Sequence, residues 1–253
     1  QVGPQVGPQA GALFGPIPAP PPVVVELYTA QGCAACPPAD RMLADLARQP
    51  GVIALALHVD YWDYIGWADV FADPEHAERQ KRYARARGLS TIYTPQVVIM
   101  GVELMEGFRV AEVQAAVAAH LEAPREARLA LARTPEGMLQ IRGEPTEAPP
   151  VLASRATGLA LGAMAALAPT PPEPAHDVQL VRYLPYSEVA ITDGENAGLT
   201  AEYVNIVTSW QTVGTWDLSG PLELTLPLAG EEPVVVLVQE PQQGAIVAAA
   251  RLD

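Results

Sequence analysis

Two cysteines, Cys33 and Cys36, are separated by only two residues, and they are the only thiols in the chain of 253 residues. Thiols at this spacing can close a small disulfide ring that exchanges with other disulfides. The next segment, "PPADRMLADLARQPG", has apolar residues at helical spacing and two prolines at its start, so it predicts a helix that begins at the cysteines. The pair therefore favours thiol–disulfide exchange.

The helix start has a chemical consequence for the two thiols. A helix N-terminus carries a partial positive charge, which favours a thiolate over a thiol. In such motifs the pKa of a thiol can fall from about 8.5 to about 3.5–7.5. We therefore expect Cys33 to lie exposed at the helix tip and to attack the substrate, while Cys36 lies shielded and resolves the mixed disulfide.

A cysteine pair at this spacing can also form a zinc site, a structural disulfide or a copper site. Zinc normally takes four ligands, and the sequence has no second cysteine pair and no closely spaced histidine pair. A ring this short gains little stability from chain entropy. We therefore expect no metal and no organic cofactor. Copper held by Cys33, Cys36 and His58 is the alternative, although a lone histidine on a buried strand is more often only hydrogen-bonded in place.

Residues 23–124 predict the order strand, helix, strand, helix, strand, strand, helix. The runs "VVVELYT" and "VIALALHVD" are continuously apolar, which is typical of strands buried on both faces. "DPEHAERQKRYARARG" predicts a helix with a capping Asp and a terminal Gly, and we interpret its basic residues as a solvated face. This order indicates an α/β layer.

The rest of the chain has a different character. Residues 125–253 contain alternating runs such as "LELTLPL" and "EYVNIVTSW", which predict a small antiparallel β-sandwich-like domain. Residues 1–22 are rich in Pro and Gly and predict a flexible segment. The expected division is therefore 1–22, 23–124 and 125–253.

Composition excludes several classes of partner. The formal net charge is −14, from 29 acidic and 15 basic residues, which argues against nucleic acid or an anionic membrane surface as partner. No apolar run is long enough for a membrane span. The chain begins at Gln1, which fits either a secreted chain whose signal peptide has been removed or a sequence that simply starts there.

The context of the cysteines resembles a known superfamily. "VELYTAQGCAAC" resembles the thioredoxin and glutaredoxin superfamily, and "TPQVVIMG" resembles the segment that carries its cis-proline. The resemblance implies that Pro95 is cis and faces the cysteines, and that the backbone of Thr94 pairs with an extended substrate. It also implies that Glu26 is a buried acid that moves a proton to the inner cysteine; a glutamate facing solvent at a strand edge is the alternative.

A fuller pattern resembles one secreted bacterial thioredoxin-like family of proteins of unknown function, number 1223. The segments that carry it are "GCAACPPAD", "LHVDYWDYIGW", "YTPQVVIMG", "GENAGLTAEYVNIV" and "VLVQ". This resemblance covers nearly the whole chain from Val23 onward. It implies export to the bacterial periplasm or beyond, with the signal peptide removed.

An aromatic loop follows the second predicted strand. Ligand sites of open α/β sheets gather beyond the carboxyl ends of strands, so this loop is expected near Cys33. Its residues Tyr61, Trp62 and Trp67 then form an apolar wall for a peptide or a small thiol. A small core beneath a long insertion is the equally good alternative.

The sequence as a whole predicts a thioredoxin-like α/β domain followed by a β-sandwich-like domain. The predicted function is a periplasmic or secreted thiol–disulfide oxidoreductase with Cys33, Cys36 and Glu26 as catalytic residues. Its partners would be a protein or small-thiol substrate and an unidentified redox partner. The alternatives are a copper-handling protein and a thioredoxin-like binding module that catalyses nothing.

Overall fold

The structure, a computed structural model, describes residues 21–146 and 175–253. In these residues the chain forms eleven strands, three α-helices and one short 3-10 helix. In chain order they are β1 (Val23–Thr29), α1 (Pro37–Ala47), β2 (Val52–His58), the 3-10 helix (Asp63–Ile65), α2 (Pro74–Ala86), β3 (Gln96–Ile99), β4 (Glu103–Glu106), α3 (Val110–Glu122), β5 (Ala127–Arg133), β6 (Met138–Pro145), β7 (His176–Ala190), β8 (Thr200–Trp216), β9 (Leu222–Pro227), β10 (Val234–Gln239) and β11 (Ile246–Leu252).

In the first half of the chain, the strands and helices predicted from the sequence are present. The predicted order from β1 to α3 is observed. Helix α1 begins directly after Cys36, with prolines at its first two positions. Helix α2 is capped as predicted, because the Asp73 carboxylate accepts a hydrogen bond from the Glu75 backbone N–H. The cysteine pair and the positive end of a helix dipole therefore meet at the start of α1.

The sheets join the two halves of the chain. One mixed sheet has eight strands in the order β11-β10-β7-β8-β2-β1-β3-β4, and a second sheet has the order β5-β6-β9. Strands β1 and β2 are parallel, and β8 lies beside β2 through the pair Ala56 and Ile206. Strands from both sides of the predicted boundary at residue 124 thus share one sheet.

The predicted fold class is wrong. The described chain is mostly β, and its large mixed sheet replaces the expected thioredoxin-like α/β domain followed by a β-sandwich. The pairing of β8 with β2 causes the difference, because it extends the first sheet by four strands that the sequence assigned to a separate domain. Patterns within a strand do not specify which strand it pairs with.

Strand β10 shows how the two cores are connected. All six of its residues are buried. Val235 and Leu237 belong to the core that the helices share with the large sheet, whereas Val234, Val236 and Val238 belong to the core beneath the three-stranded sheet. A strand buried on both faces explains the continuous apolar run "PVVVLVQ". Its neighbour β7 is a strand that the sequence did not predict.

The helices lie on opposite faces of the large sheet. Thr29 of β1 bonds to a side chain of α1, and Glu26 of β1 bonds to α2. Since side chains alternate along a strand, residues 26 and 29 point to opposite faces. Helix α3 contacts α1 on the first of these faces.

Two predictions concern the N-terminal segment and the membrane. The Pro/Gly-rich segment predicted for residues 1–22 lies almost entirely outside the described residues. In the part of the chain that the structure describes, every helix is too short or too polar to cross a bilayer.

Candidate functional site

The cysteine pair forms a closed disulfide at the N-terminus of α1. The two Cα atoms are 5.4 Å apart. Cys36 is the N-cap residue of α1, and its carbonyl accepts hydrogen bonds from the backbone N–H groups of Ala39 and Asp40. The ring therefore adjoins the positive end of the helix dipole, where a thiolate released by reduction is stabilised.

Both cysteines are buried, so the expected exposure of Cys33 is wrong. Cys33 is 1 % exposed and Cys36 is 0 % exposed. The two residues between them, Ala34 and Ala35, are exposed. Only Ala34 and Ala35 of the ring thus meet solvent, and both cysteines belong to the hydrophobic core.

A loop from the second half of the chain covers the ring. This cover loop, residues 191–199, connects β7 and β8. Its buried Asn196 donates two hydrogen bonds, to the carbonyls of Gln31 (2.8 Å) and Cys33 (3.0 Å). Gly194 packs so closely on Trp67 that a Cβ there would lie 3.1 Å from the Trp67 Cβ.

The predicted cis bond is confirmed, because the Thr94–Pro95 peptide is cis. Gly107 lies between Pro95 and the first turn of α1: a Cβ on Gly107 would be 2.8 Å from the Pro95 Cβ and 3.3 Å from the Ala39 Cβ. Pro95 is itself buried. The proline loop therefore adjoins the helix turn that carries Cys36.

The three aromatic residues predicted to bind substrate are half-buried and hydrogen-bonded inward. Trp62 Nε1 donates to Thr94 Oγ1 (2.7 Å), and Trp67 Nε1 donates to Gln31 Oε1 (2.7 Å). Tyr61 donates its hydroxyl to Gln80 (3.1 Å). These bonds fit the alternative of a small core under the insertion, and they tie that core to the proline loop and to the residues before the ring.

Glu26 lies in a buried polar group on the α2 face, opposite α1. Its carboxylate accepts two bonds from Arg79, from Nε and from Nη2, each 2.8 Å long. Tyr28 and Tyr83 donate their hydroxyls to it at 2.9 and 2.7 Å. Gln239 also bonds to Arg79 and Tyr83. We call these five residues the closed cluster.

The closed cluster indicates a structural role for Glu26, which the sequence did not predict. Its negative charge is balanced by a buried guanidinium in bidentate geometry. Burial acts to lower the pKa of Arg79, but Glu26, Tyr83 and Tyr28 together outweigh burial and hold that pKa above its ordinary value. Glu26 thus faces neither solvent nor α1. The expectation that the basic residues of α2 form a solvated face is wrong for Arg79, which is buried.

A second polar cluster lies on the α1 face, beside the ring. Asp40 of α1 accepts a hydrogen bond from the Thr29 hydroxyl (2.7 Å). The Nδ1 atom of His58 lies 2.7 Å from Asp69 Oδ2, which also accepts the backbone N–H of Gln31. The ring of Tyr203 lies 4.7 Å from that of His58, edge to face. We call Thr29, Asp40, His58, Asp69 and Tyr203 the groove-side cluster.

Asp40 has no cation at hydrogen-bond distance among the described residues, in contrast to Glu26. Burial raises the pKa of Asp40 to about 6, while the hydrogen bond from Thr29 and the nearby His58 act in the opposite direction. The sequence prediction missed Asp40 and Asp69. Asp40 stands four residues after Cys36, on the same side of the helix, and that spacing was the available signal.

A groove beside α1 leads to the groove-side cluster. It lies between α1 and the end of the β7–β8 hairpin, and its volume is about 550 Å³. Pro37 and Asn196, the two lining residues next to the ring, are at one end, and Asp40 and Tyr203 also line it. The remaining lining residues are Arg41, Ala44, Arg48, Tyr186, Glu188, Ile191, Leu199, Thr200, Ala201, Glu202 and Val204.

The arrangement gives no support to a copper site. Within residues 21–146 and 175–253, no group of three or more His, Cys, Asp or Glu side chains is placed to hold a metal ion. His58 pairs with Asp69, and the two cysteines pair with each other. The three proposed ligands therefore do not converge.

Comparison with known proteins gives a family and two solved structures. A family model described as a protein of unknown function (DUF1223) matches residues 24–239. The X-ray crystal structure of an Agrobacterium tumefaciens protein has a TM-score of 0.70 and 28% identity, and the match covers 91% of this chain and 93% of that one. The structure of HBP35 of Porphyromonas gingivalis has a TM-score of 0.52 and 14% identity, and covers 92% of this chain and 74% of that one. No curated protein matches the chain.

Proposed function

We propose, from the premise that this chain belongs to the DUF1223 family of proteins of unknown function, that it is a thiol–disulfide oxidoreductase. Its Cys33–Cys36 pair would exchange disulfides with protein or small-thiol substrates. The observation that carries the proposal is the Cys33–Cys36 disulfide at the N-terminus of α1. The Thr94–Pro95 loop lies beside the same helix turn.

The ring can transfer two electrons without another cofactor. In the reduced protein, the Cys33 thiolate attacks a substrate disulfide, forms a mixed disulfide and releases one substrate thiolate. The Cys36 thiolate then attacks the Cys33 sulfur, closes the ring and releases the second substrate thiolate. Two electrons pass from the pair to the substrate, and the reverse sequence oxidises a substrate dithiol.

Burial of the ring requires that the cover loop move during each exchange. The two bonds of Asn196 hold the loop on the carbonyls of the ring segment, and neither bond involves a sulfur atom. We expect release of this loop to give a substrate access to the ring. Two hydrogen bonds contribute about 1–3 kcal/mol, so a small fraction of the molecules is open at any time.

Export to the periplasm or beyond is part of the proposal. A disulfide of this kind persists in oxidising compartments, and cytosolic proteins usually keep such pairs reduced. The partners are then a protein or small-thiol substrate and a redox partner that resets the pair. The strongly acidic composition fits neither nucleic acid nor an anionic membrane as partner.

Equilibration of the purified protein with glutathione redox buffers tests the proposal. We expect the pair to open and close reversibly, and the protein to catalyse the reduction of insulin by dithiothreitol. Cys33→Ser and Cys36→Ser should abolish catalysis while the fold remains intact by circular dichroism. A ring that resists all the buffers, with no catalysis, would overturn the proposal.

The burial of both cysteines favours one second candidate, a binding module with a structural disulfide. In that case the disulfide only stabilises the start of α1, and the partner binds in the groove. The two candidates differ in the Cys33→Ala/Cys36→Ala variant. A binding module would lose stability and retain its partner, whereas an oxidoreductase would lose its reaction.

A further inference from the structure

We propose that Asp40 is the acid–base group that exchanges the proton of Cys36, using the groove as its path to solvent. The inference rests on the oxidoreductase proposal and assigns to Asp40 the role that the sequence had assigned to Glu26. In this role Asp40 exchanges a proton with Cys36 and does not touch the substrate.

The helix places Asp40 on the side of Cys36. Residues four apart on a helix lie one above the other, and the Asp40 backbone N–H bonds to the Cys36 carbonyl (3.0 Å). The bond from Thr29 directs the carboxyl group toward the end of β1, directly before the segment that leads into the ring. Glu26 meets none of these conditions, because it lies on the other face of the sheet and is paired with Arg79.

The groove gives Asp40 a route for protons that Cys36 lacks. Cys36 is fully buried, and its sulfur has no direct access to water. Asp40 lines the groove, beside Pro37 and Tyr203. A carboxyl group at this position can take a proton from the thiol on one side and release it to solvent on the other. This proton transfer does not require the cover loop to move.

The groups around Asp40 set its charge state. Thr29 faces it from β1, His58 from β2, Asp69 from the aromatic loop, Tyr203 from β8 and Arg41 from its own helix. His58 and Arg41 favour the ionised carboxylate, whereas burial and Asp69 favour the neutral acid. Acid–base catalysis is most effective with a group that titrates near the working pH, and this balance places Asp40 there.

The protons and electrons of the proposed step balance. After Cys33 forms the mixed disulfide, the Cys36 thiol gives its proton to the Asp40 carboxylate. The Cys36 thiolate attacks the Cys33 sulfur, the ring closes, and the substrate thiolate leaves with the electron pair of the broken bond. The leaving thiolate, or solvent in the groove, then takes the proton from Asp40.

A two-phase experiment on the reduced protein tests this step. Ellman's reagent reacts with Cys33 in a first phase and releases one thionitrobenzoate, and attack by Cys36 releases the second. For the natural chain we expect the rate of the second phase to fall as the pH drops below about 6, and Asp40→Asn should remove this inflection. Asp40→Asn should also slow the second phase by about 10- to 100-fold at pH 7.5 and leave the first phase unchanged.

The controls separate a chemical role from a structural one. Asn at position 40 still accepts the Thr29 hydrogen bond, so the fold should persist. Asp45→Asn changes the same residue type at an exposed position of α1 and should leave both phases as they are. Asp40→Glu returns a carboxylate and should restore the inflection in part.

The outcomes distinguish this inference from the proposed function. If the natural chain shows both phases and Asp40→Asn keeps the rate and inflection of the second phase, the role of Asp40 is refuted while the oxidoreductase stands. The same holds if Glu26→Gln, rather than Asp40→Asn, removes the inflection. If the reduced natural chain reacts in neither phase, the oxidoreductase proposal itself fails.

Discussion

The two faces of the central sheet carry two carboxyl groups in opposite surroundings: Glu26 is fully buried, whereas Asp40 is partly exposed. In the closed cluster, Glu26 is balanced by a bidentate Arg79 and receives two tyrosine hydroxyls. In the groove-side cluster, Asp40 receives one hydroxyl and borders a groove. Both acids are close to the cysteine pair in the sequence, one before it and one after it.

This contrast favours Asp40 over Glu26 as the acid that takes part in the chemistry. The carboxylate oxygens of Glu26 are occupied by a bidentate guanidinium and two tyrosine hydroxyls, so no lone pair of Glu26 faces the cysteines. A carboxyl group without such a cation has a raised pKa and titrates near neutrality. The sequence motif pointed to Glu26, and the geometry points to Asp40.

Breaking the ion pair of the closed cluster should have the strongest consequence. Arg79→Leu leaves the Glu26 charge buried without a cation, which should lower the free energy of unfolding by about 3–5 kcal/mol. Urea denaturation measures this loss. Arg82→Leu, at an exposed position of the same helix, is the matched control and should change stability by less than about 0.5 kcal/mol.

The double variant Glu26→Leu/Arg79→Leu completes this test. Removing both charges should recover most of the lost stability, because no unpaired charge then remains buried. A double variant as unstable as Arg79→Leu alone would contradict the view that the pair is a self-contained structural unit.

Local elements were predictable from the sequence, whereas the long-range pairing was not. The run "VVVELYT", the Asp73 cap and the prolines after Cys36 specify β1, α2 and α1 through interactions within a few residues. The contact of β8 with β2, between Ala56 and Ile206, joins positions 150 residues apart, and no local pattern encodes it. The missed strand β7 contains Pro185, which interrupts the strand signal.

For the site, too, the local features could be predicted from the sequence and the long-range contacts could not. The ring and the cis Thr94–Pro95 bond follow from contiguous motifs. The cover loop and Arg79 come from distant parts of the chain, so their contacts with the ring segment and with Glu26 were missed. Burial of Cys33 follows from the cover loop, which is why its exposure was predicted wrongly.

The next effect concerns the stability of the groove-side cluster and its dependence on pH. Asp40 has a pKa of about 6 when folded and an ordinary value of 3.8, so the folded protein binds this proton more tightly than the unfolded chain. The free energy of unfolding therefore falls as the pH rises from about 4 to about 6, and it stays lower above pH 6. Since Asp40 is partly exposed, we expect Asp40→Asn to raise the free energy of unfolding by about 1–3 kcal/mol at pH 7.5.

The pH dependence of the stability gain in Asp40→Asn tests this prediction. The gain should shrink as the pH falls from 6 to 4 and vanish below the unfolded pKa, where both states hold the proton. Urea denaturation at pH 7.5, 5.5 and 4 measures it. A gain that is the same at all three values would mean that folding does not shift the pKa of Asp40.

A smaller effect should follow from loosening the cover loop on the groove side. Asn196→Ala removes both bonds to the ring segment and should favour the open loop by about 1–2 kcal/mol, which raises the open population about 5- to 30-fold. The rate at which dithiothreitol reduces the ring should increase by a similar factor. Thr192→Ala, at an exposed position of the same loop, should leave the rate unchanged, and an equal increase there would point to general fraying.

The weakest effects should come from two neighbouring residues of β1, one of which bonds within the closed cluster and the other within the groove-side cluster. Tyr28→Phe removes one of the hydroxyls donated to Glu26, and Thr29→Val removes the hydroxyl donated to Asp40. Each change should cost about 1 kcal/mol by urea denaturation. The Thr29 bond lowers the pKa of Asp40, so only Thr29→Val should move the inflection of the second Ellman phase, and it should move it upward. A shift in Tyr28→Phe instead would assign the titration to the closed cluster and to Glu26.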